Sequence, residues 1–299
     1  MWDRGDFVDL ADARRTRTTR RAVARRIAHN RDHEHADISR RAARARSPPM
    51  TLRSMLGLAR SMWTYRRPGR LHGLLALYRP FVPQGGLVFD IGAHLGDRTR
   101  AFRRLGARVV ALEPQPTMMR WLRRFHGRDD GVVLVDRAAG AEPGRARLAI
   151  SEMHPAVASL STRWRAEVRQ AHAGFAAVRW PHSIEVLVTT LDELVDRHGV
   201  PDFCKIDVEG HESEVLKGLS QPLPALSVEF VAGALHRAQA CIDRLSALGD
   251  YRYNAVAGEQ REYLWSEWSE PETIRSWLAA GAGGLASGDL YAVHRPRGS

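Results

Sequence analysis

The chain has 299 residues and a mass of 33.5 kDa, enough for one sizeable α/β domain with appendages. It holds no run of about eighteen apolar residues, and its start lacks the basic, apolar and small-residue regions of a secretory signal. No bilayer span is therefore expected, and its two cysteines, Cys204 and Cys241, which fit neither a disulfide framework nor a metal-ligand spacing, suit a reducing compartment, so a cytoplasmic address is expected. The net charge of +11 is uneven: residues 1–49 hold thirteen Arg against seven acids, and lysine occurs only at Lys205 and Lys217. An Arg-rich composition accounts for this without a clustered patch gripping phosphates, and no specific nucleic-acid partner is expected.

In chain order, residues 1–49 are Arg- and Ala-rich with few large apolar residues, a composition that reads as a disordered arm. Residues 50–82 space their leucines helically on either side of "RRPGR", which predicts two short helices capping the domain. From 83 to 299 strand and helix patterns alternate. Strands are expected at 87–91, 108–113, 132–135, 203–207, 225–231, 251–256 and 290–295, with helices at 97–105, 117–125, 191–198, 211–219 and 235–248. Such alternation specifies a mostly parallel sheet with helices on both faces, its last strand antiparallel. "ARLAIS" and "IEVLVT" alternate as a hairpin around a polar excursion at about 152–183. That excursion reads as a lid insertion whose Trp164, His172, Trp180 and His182 are candidate acceptor contacts.

Ligands of such sheets lie beyond the carboxyl ends of the strands, where the strand order reverses. The first strand ends in Asp90-Ile91-Gly92-Ala93-His94-Leu95-Gly96, where glycines would let the backbone approach a ligand and Asp90 could face an ammonium. The second ends in "ALEPQP", placing Glu113, followed by Pro114, where a carboxylate can grip both hydroxyls of a ribose; the third ends in Asp136 and Arg137. A glycine turn and two acids at three successive strand ends suit a nucleoside with a charged amino-acid tail, which describes S-adenosylmethionine. Asp207, Glu209 and His211 follow the next strand as candidates for orienting or deprotonating an acceptor, with Glu229 a further wall residue. The competing account of Glu209 and Glu212 is a helix N-terminal turn, where acids meet the dipole.

Together "FDIGAHLGDRT", "ALEPQP" and "KIDVEGHE" resemble the FkbM-type S-adenosylmethionine-dependent methyltransferases, from about Leu71 through "GDLYAV". The resemblance implies the class I methyltransferase fold, a Rossmann-like seven-stranded sheet. It also implies O-methylation of a hydroxyl on a sugar, glycan or secondary metabolite. By it Asp90, Gly92, Ala93, Gly96 and Thr99 line the methionine side of the cofactor, Glu113 the ribose and Asp136 the adenine. His94 stands where the family commonly has Asn, which would make cofactor affinity pH-sensitive. Three alternatives remain open on the residues. An NAD-dependent oxidoreductase lacks support from a middle glycine of G-x-G-x-x-G. A nucleic-acid methyltransferase using the basic arm would want an Asn/Asp-Pro-Pro-aromatic turn where "IDVEG" stands. The third is a binding module without catalysis.

Overall fold

The computed structural model describes residues 52–65 and 69–295, so the expected arm at 1–49 lies outside the described residues. Two helices, α1 (Leu52–Tyr65) and α2 (Arg70–Tyr78), precede the alternating part. There β1 (Leu87–Ile91), α3 (Asp97–Arg104), β2 (Arg108–Leu112), α4 (Pro116–His126) and β3 (Val132–Val135) form the first half. A small sheet follows, of β4 (Ala138–Ala139), β5 (Gly144–Ile150) and β6 (His182–Thr189), with α5 (Thr162–Ala171) between β5 and β6. The second half runs α6 (Leu191–His198), β7 (Phe203–Ile206), α7 (Glu212–Lys217), β8 (Ala225–Val231), α8 (Leu235–Leu248), β9 (Tyr251–Ala257), α9 (Pro271–Ala279) and β10 (Ser287–His294). Local chemistry fixes several starts. Thr190 caps α6 by accepting the Glu193 N–H, Ser161 caps α5 by accepting that of Trp164, and prolines open α4 and α9.

The main sheet has seven strands in the order β3-β2-β1-β7-β8-β10-β9, parallel except for β10, which pairs antiparallel with both β8 and β9. Both faces are covered, so the strands bury both sets of alternating side chains. Phe89, Ile91, Cys204, Ile206, Leu226 and Val228 face one core, with Leu194, Leu216 and Ile242. Val88, Val109, Phe203 and Tyr291 face the other, where Tyr78 of α2 lies 4.6 Å from the Phe102 ring of α3. The chain lays down β1, β2 and β3 outward, then returns to place β7 on the opposite side of β1. That reversal opens a crevice between the ends of β1 and β7. Among the described residues no helix is long and apolar enough to cross a membrane.

The excursion between β5 and β6 has a core of its own. Trp164 and Val168 of α5 are buried against Val231 and Ala234, with Phe175 and Trp180 packed alongside. Trp164 is therefore a packing residue and not an acceptor contact. Trp180 likewise donates its Nε1–H to the Val157 carbonyl at 2.7 Å, and His182 pairs with Glu152 at 2.9 Å. Trp164→Ala should cost about 3–5 kcal/mol of stability, the usual range for emptying a buried aromatic site. Urea unfolding monitored by far-UV circular dichroism measures it, and a loss under about 1 kcal/mol would show that α5 is not packed as described.

Candidate functional site

The crevice is a cavity with an empty volume of about 1090 Å³, including its solvent-open mouth. Gly92, Ala93 and His94 from the turn after β1, Glu113, Pro114 and Gln115 after β2, and Asp207, Glu209 and His211 after β7 all line it. Arg98, Arg137, Glu229, Glu259 and Asp289 complete the polar part of the wall. The turn after β1 needs its first glycine for the protein's own chain. Gly92 has φ 85°, and a Cβ there would stand 1.9 Å from the Asp207 carbonyl oxygen. The glycine thus permits the close approach between the ends of β1 and β7 while also lining the cavity.

Three residues expected on the cofactor side lie behind that wall. Asp90 is buried in the sheet, where Thr99 Oγ1 donates to its Oδ2 at 2.5 Å, and Gly96 packs against Leu122 and His126 of α4. They brace the turn and do not face the cavity. Asp136 is a further correction: it is exposed and paired with Arg123 at 3.2 Å, and the neighbouring wall is made by Arg137, Ala138 and Ala139. The chain turns toward β4 immediately after β3, which leaves Asp136 outside.

Glu113 is buried with both carboxylate oxygens anchored. Oε2 accepts the His94 N–H at 2.9 Å and Oε1 that of Gln115 at 2.8 Å. Burial pushes its pKa up to about 7 despite those bonds. His94 moves the other way: burial lowers it to about 4, so the imidazole is neutral through the physiological range.

At the other end of the cavity Asp207, Glu209 and Glu229 converge, with an oxygen from each within 4.8 Å of the others. Beneath them lies Lys205, with no exposed surface, donating to Asp207 Oδ2 at 3.3 Å and Asp289 Oδ1 at 2.9 Å. Burial works against the lysine's charge, but Asp207 and Asp289 outweigh it and raise its pKa. Burial also works against ionising Asp207, and there Lys205 and Arg98 prevail, holding it below the usual carboxylate range. Glu209 and Glu229 have no such partner: burial first, then repulsion from Asp207, drives both well above it. Burial lowers the pKa of His211, leaving it a neutral ring on the wall. The arrangement thus offers one fixed carboxylate charge beside two carboxyl groups that hold or share protons. Three convergent oxygens also match the donor type of a hard divalent cation.

Glu209 sits at φ 55°, unusual for a residue with a side chain. Ser159 Oγ donates to its carbonyl at 2.6 Å, Arg237 donates to the Gly210 carbonyl at 2.9 Å, and Glu212 Oε1 accepts the N–H groups of Val208 and Gly210 at 3.1 Å. Glu212 therefore ties the turn together from the helix start, as the structural account of it expected. Glu209 is aimed by the same turn at the junction with a second cavity of about 800 Å³, which shares Ala156, Glu209, Glu229 and Ser287 with the first.

A mostly parallel seven-stranded sheet with an antiparallel strand next to its edge, and a polar cavity at the β1/β7 switch point, define a class I S-adenosylmethionine-dependent methyltransferase. A family model described as the methyltransferase FkbM domain matches residues 90–279. The chain belongs to this family and uses S-adenosylmethionine, and the nicotinamide reading falls with that result. No curated protein matches. Solved structures similar in fold include precorrin-6y C5,15-methyltransferase from Geobacter metallireducens GS-15. It is 12% identical with a TM-score of 0.40, covering 84% of this chain and 94% of its own. An O-methyltransferase from Thermotoga maritima is 10% identical with a TM-score of 0.38, covering 78% and 67%. Fibrillarin from Aeropyrum pernix with natively bound S-adenosyl-L-methionine is 12% identical with a TM-score of 0.39, covering 77% and 75%.

Sequence reasoning missed Lys205, Asp289 and Arg98 as site residues. For Lys205 there was a signal, since it is one of two lysines among 45 basic residues. Lys205→Met leaves Asp207 and Asp289 without their shared cation and should destabilise the fold by about 3–5 kcal/mol. Urea unfolding at pH 7 checks this, and the deficit should shrink in acid as Asp207 becomes protonated. A variant as stable as the wild type would show that the lysine does not carry the charge balance described.

Proposed function

We propose that the protein transfers the methyl group of S-adenosylmethionine to a hydroxyl of a sugar, glycan or related metabolite, at the junction of the two cavities. The observation that carries this reading is the convergence there of three carboxylates with unequal proton affinities. The first cavity fits the cofactor. Glu113 keeps lone pairs for a ribose beyond its two backbone bonds, and Arg98 on the same wall has a buried Nε without a hydrogen-bond partner among the described residues. That guanidinium is suited to the carboxylate of the methionine moiety. The sulfonium, when bound, supplies an activated methyl carbon and a good leaving group.

The chain's own residues then have two tasks, to align the acceptor oxygen and to take its proton. Asp207, pinned by Lys205, is a weak base but a fixed acceptor that orients the hydroxyl. Glu209 and Glu229 bind protons far more readily, so the ionised member of that pair is the stronger base and passes the proton to solvent through the second cavity.

The test is transfer of labelled methyl to a panel of sugars and glycans. The product should be an ether that resists mild alkali; label released by alkali would mean a methyl ester and would remove the hydroxyl reading. Glu229→Gln and Asp207→Asn should each lower turnover by about 10²-fold while adenosylhomocysteine affinity stays within a few-fold. Turnover should rise with pH through a step above the ordinary carboxylate range and survive chelator; dependence on added Mg²⁺ would assign the three carboxylates to a cation instead.

Glu113→Gln should weaken adenosylhomocysteine binding by about 1.5–3 kcal/mol. Because the ionised carboxylate is the better acceptor, wild-type affinity should fall as pH drops below about 7, and the variant should lose that dependence. Calorimetry across pH 5.5–8.5, on the order of three units centred on that step, decides it.

A further inference from the structure

The second cavity carries more than the two glutamates. Its wall includes Arg60 and Ser61 of α1 and His154 and His172 of the excursion, with Met153, Val157 and Phe175 between them. Arg60 and Ser61 precede the residues matched by the family model, so α1 adds to this wall from outside the matched domain, while His154 and His172 lie within it. Hydrogen bonding fixes the tautomers of both rings. Arg60 Nη2 lies 3.0 Å from His154 Nδ1, and a guanidinium only donates, so Nδ1 accepts and the ring proton sits on Nε2. His172 Nδ1 accepts the Gly174 N–H at 3.1 Å, which leaves its proton on Nε2 as well. Arg60 makes no ion pair among the described residues, so its charge is available to a ligand in the cavity.

The wall therefore presents a permanent cation and two ring N–H donors in the same chamber as the carboxyl groups of Glu209 and Glu229. Donors of this kind match anionic oxygens, as carboxyl groups match a hydroxyl. We propose that Arg60, with the Nε2–H groups of His154 and His172, binds an anionic group on the methyl acceptor. The acceptor is then a hydroxyl compound bearing a carboxylate or a phosphate, such as a sugar acid or a sugar phosphate, and α1 is part of the acceptor site. The assignment rests on the proposed transfer at the junction of the two cavities, with the acceptor reaching it from the second.

The test follows the imidazole signals of His154 and His172 by NMR in the full chain saturated with adenosylhomocysteine. D-glucuronate, D-glucose 6-phosphate and D-glucose are the probes. At least one anionic sugar should shift both rings saturably and bind about tenfold or more tighter than glucose, the advantage of a charge-assisted hydrogen bond. Which of the two does so separates the carboxylate source from the phosphate source. Arg60→Gln should weaken that response about tenfold, Arg60→Lys should retain part of it, and neither should change adenosylhomocysteine affinity. An equal response to glucose, no saturable response, or an unchanged response in Arg60→Gln overturns the proposal. Anion binding that depends on Arg60, in a protein that forms no methyl ether, would leave this site standing and sink the hydroxyl-transfer reading. Ether formation on neutral and anionic sugars alike would do the reverse.

Discussion

Lys205 keeps its positive charge at the centre of the sheet, held there by Asp207 at 3.3 Å and Asp289 at 2.9 Å. Bringing an ammonium out of water costs several kcal/mol, which only close, well-directed partners offset. Asp207, just past β7, and Asp289 of β10 do so, and the lysine in return holds Asp207 below the usual carboxylate range. One lysine, with Arg98 nearby, cannot do the same for Glu209 and Glu229 as well, so those two retain protons. The contrast between Asp207, held low by Lys205 and Arg98, and Glu209 and Glu229, driven high by burial and then by Asp207, arises where the three converge. A guanidinium would serve poorly here, because its planar fork needs several acceptors, whereas the ammonium is a compact point charge. That accounts for a lysine at this position in a chain that otherwise uses arginine.

The alternation of strand and helix, the glycine turn after β1, Glu113 after β2 and the cluster after β7 were all legible in the sequence, because each is local. What was not legible depends on partners far along the chain. Asp136 and Arg137 are neighbours, and only the departure of the chain toward β4 decides which faces the cavity. Asp90 and Thr99 pair across a turn and hide each other behind it. Trp164, in a polar stretch, reads as exposed until α5 is placed against β8 and α8. Helix α9 was not among the expected helices, although Pro271 at its first turn and buried Ile274 and Leu278, four apart, were a usable helix signal.

The second cavity shows the same division at larger scale. Its acidic floor belongs to the matched methyltransferase domain, while Arg60 and Ser61 come from a helix that precedes it. Glycine at position 57 lets that helix settle against the Glu152 and Met153 backbone, where a Cβ would come within 2.5 Å of a carbonyl oxygen. Leu58, the next residue, is buried against Leu95 and Met118. A contact of this kind carries no motif, yet it brings α1 to the wall of the chamber.

The placement of β10 bears on how the chain comes to be folded during synthesis. It is the last strand in chain order, yet it lies inside the sheet, between β8 and β9. Until it leaves the ribosome, β8 exposes an open edge and β9 has no neighbour to join the sheet through, a state prone to mispairing. The same strand delivers Asp289 to Lys205. Closing the sheet between β8 and β9 and neutralising its buried cation therefore depend on the same strand, and neither is complete until β10 has paired.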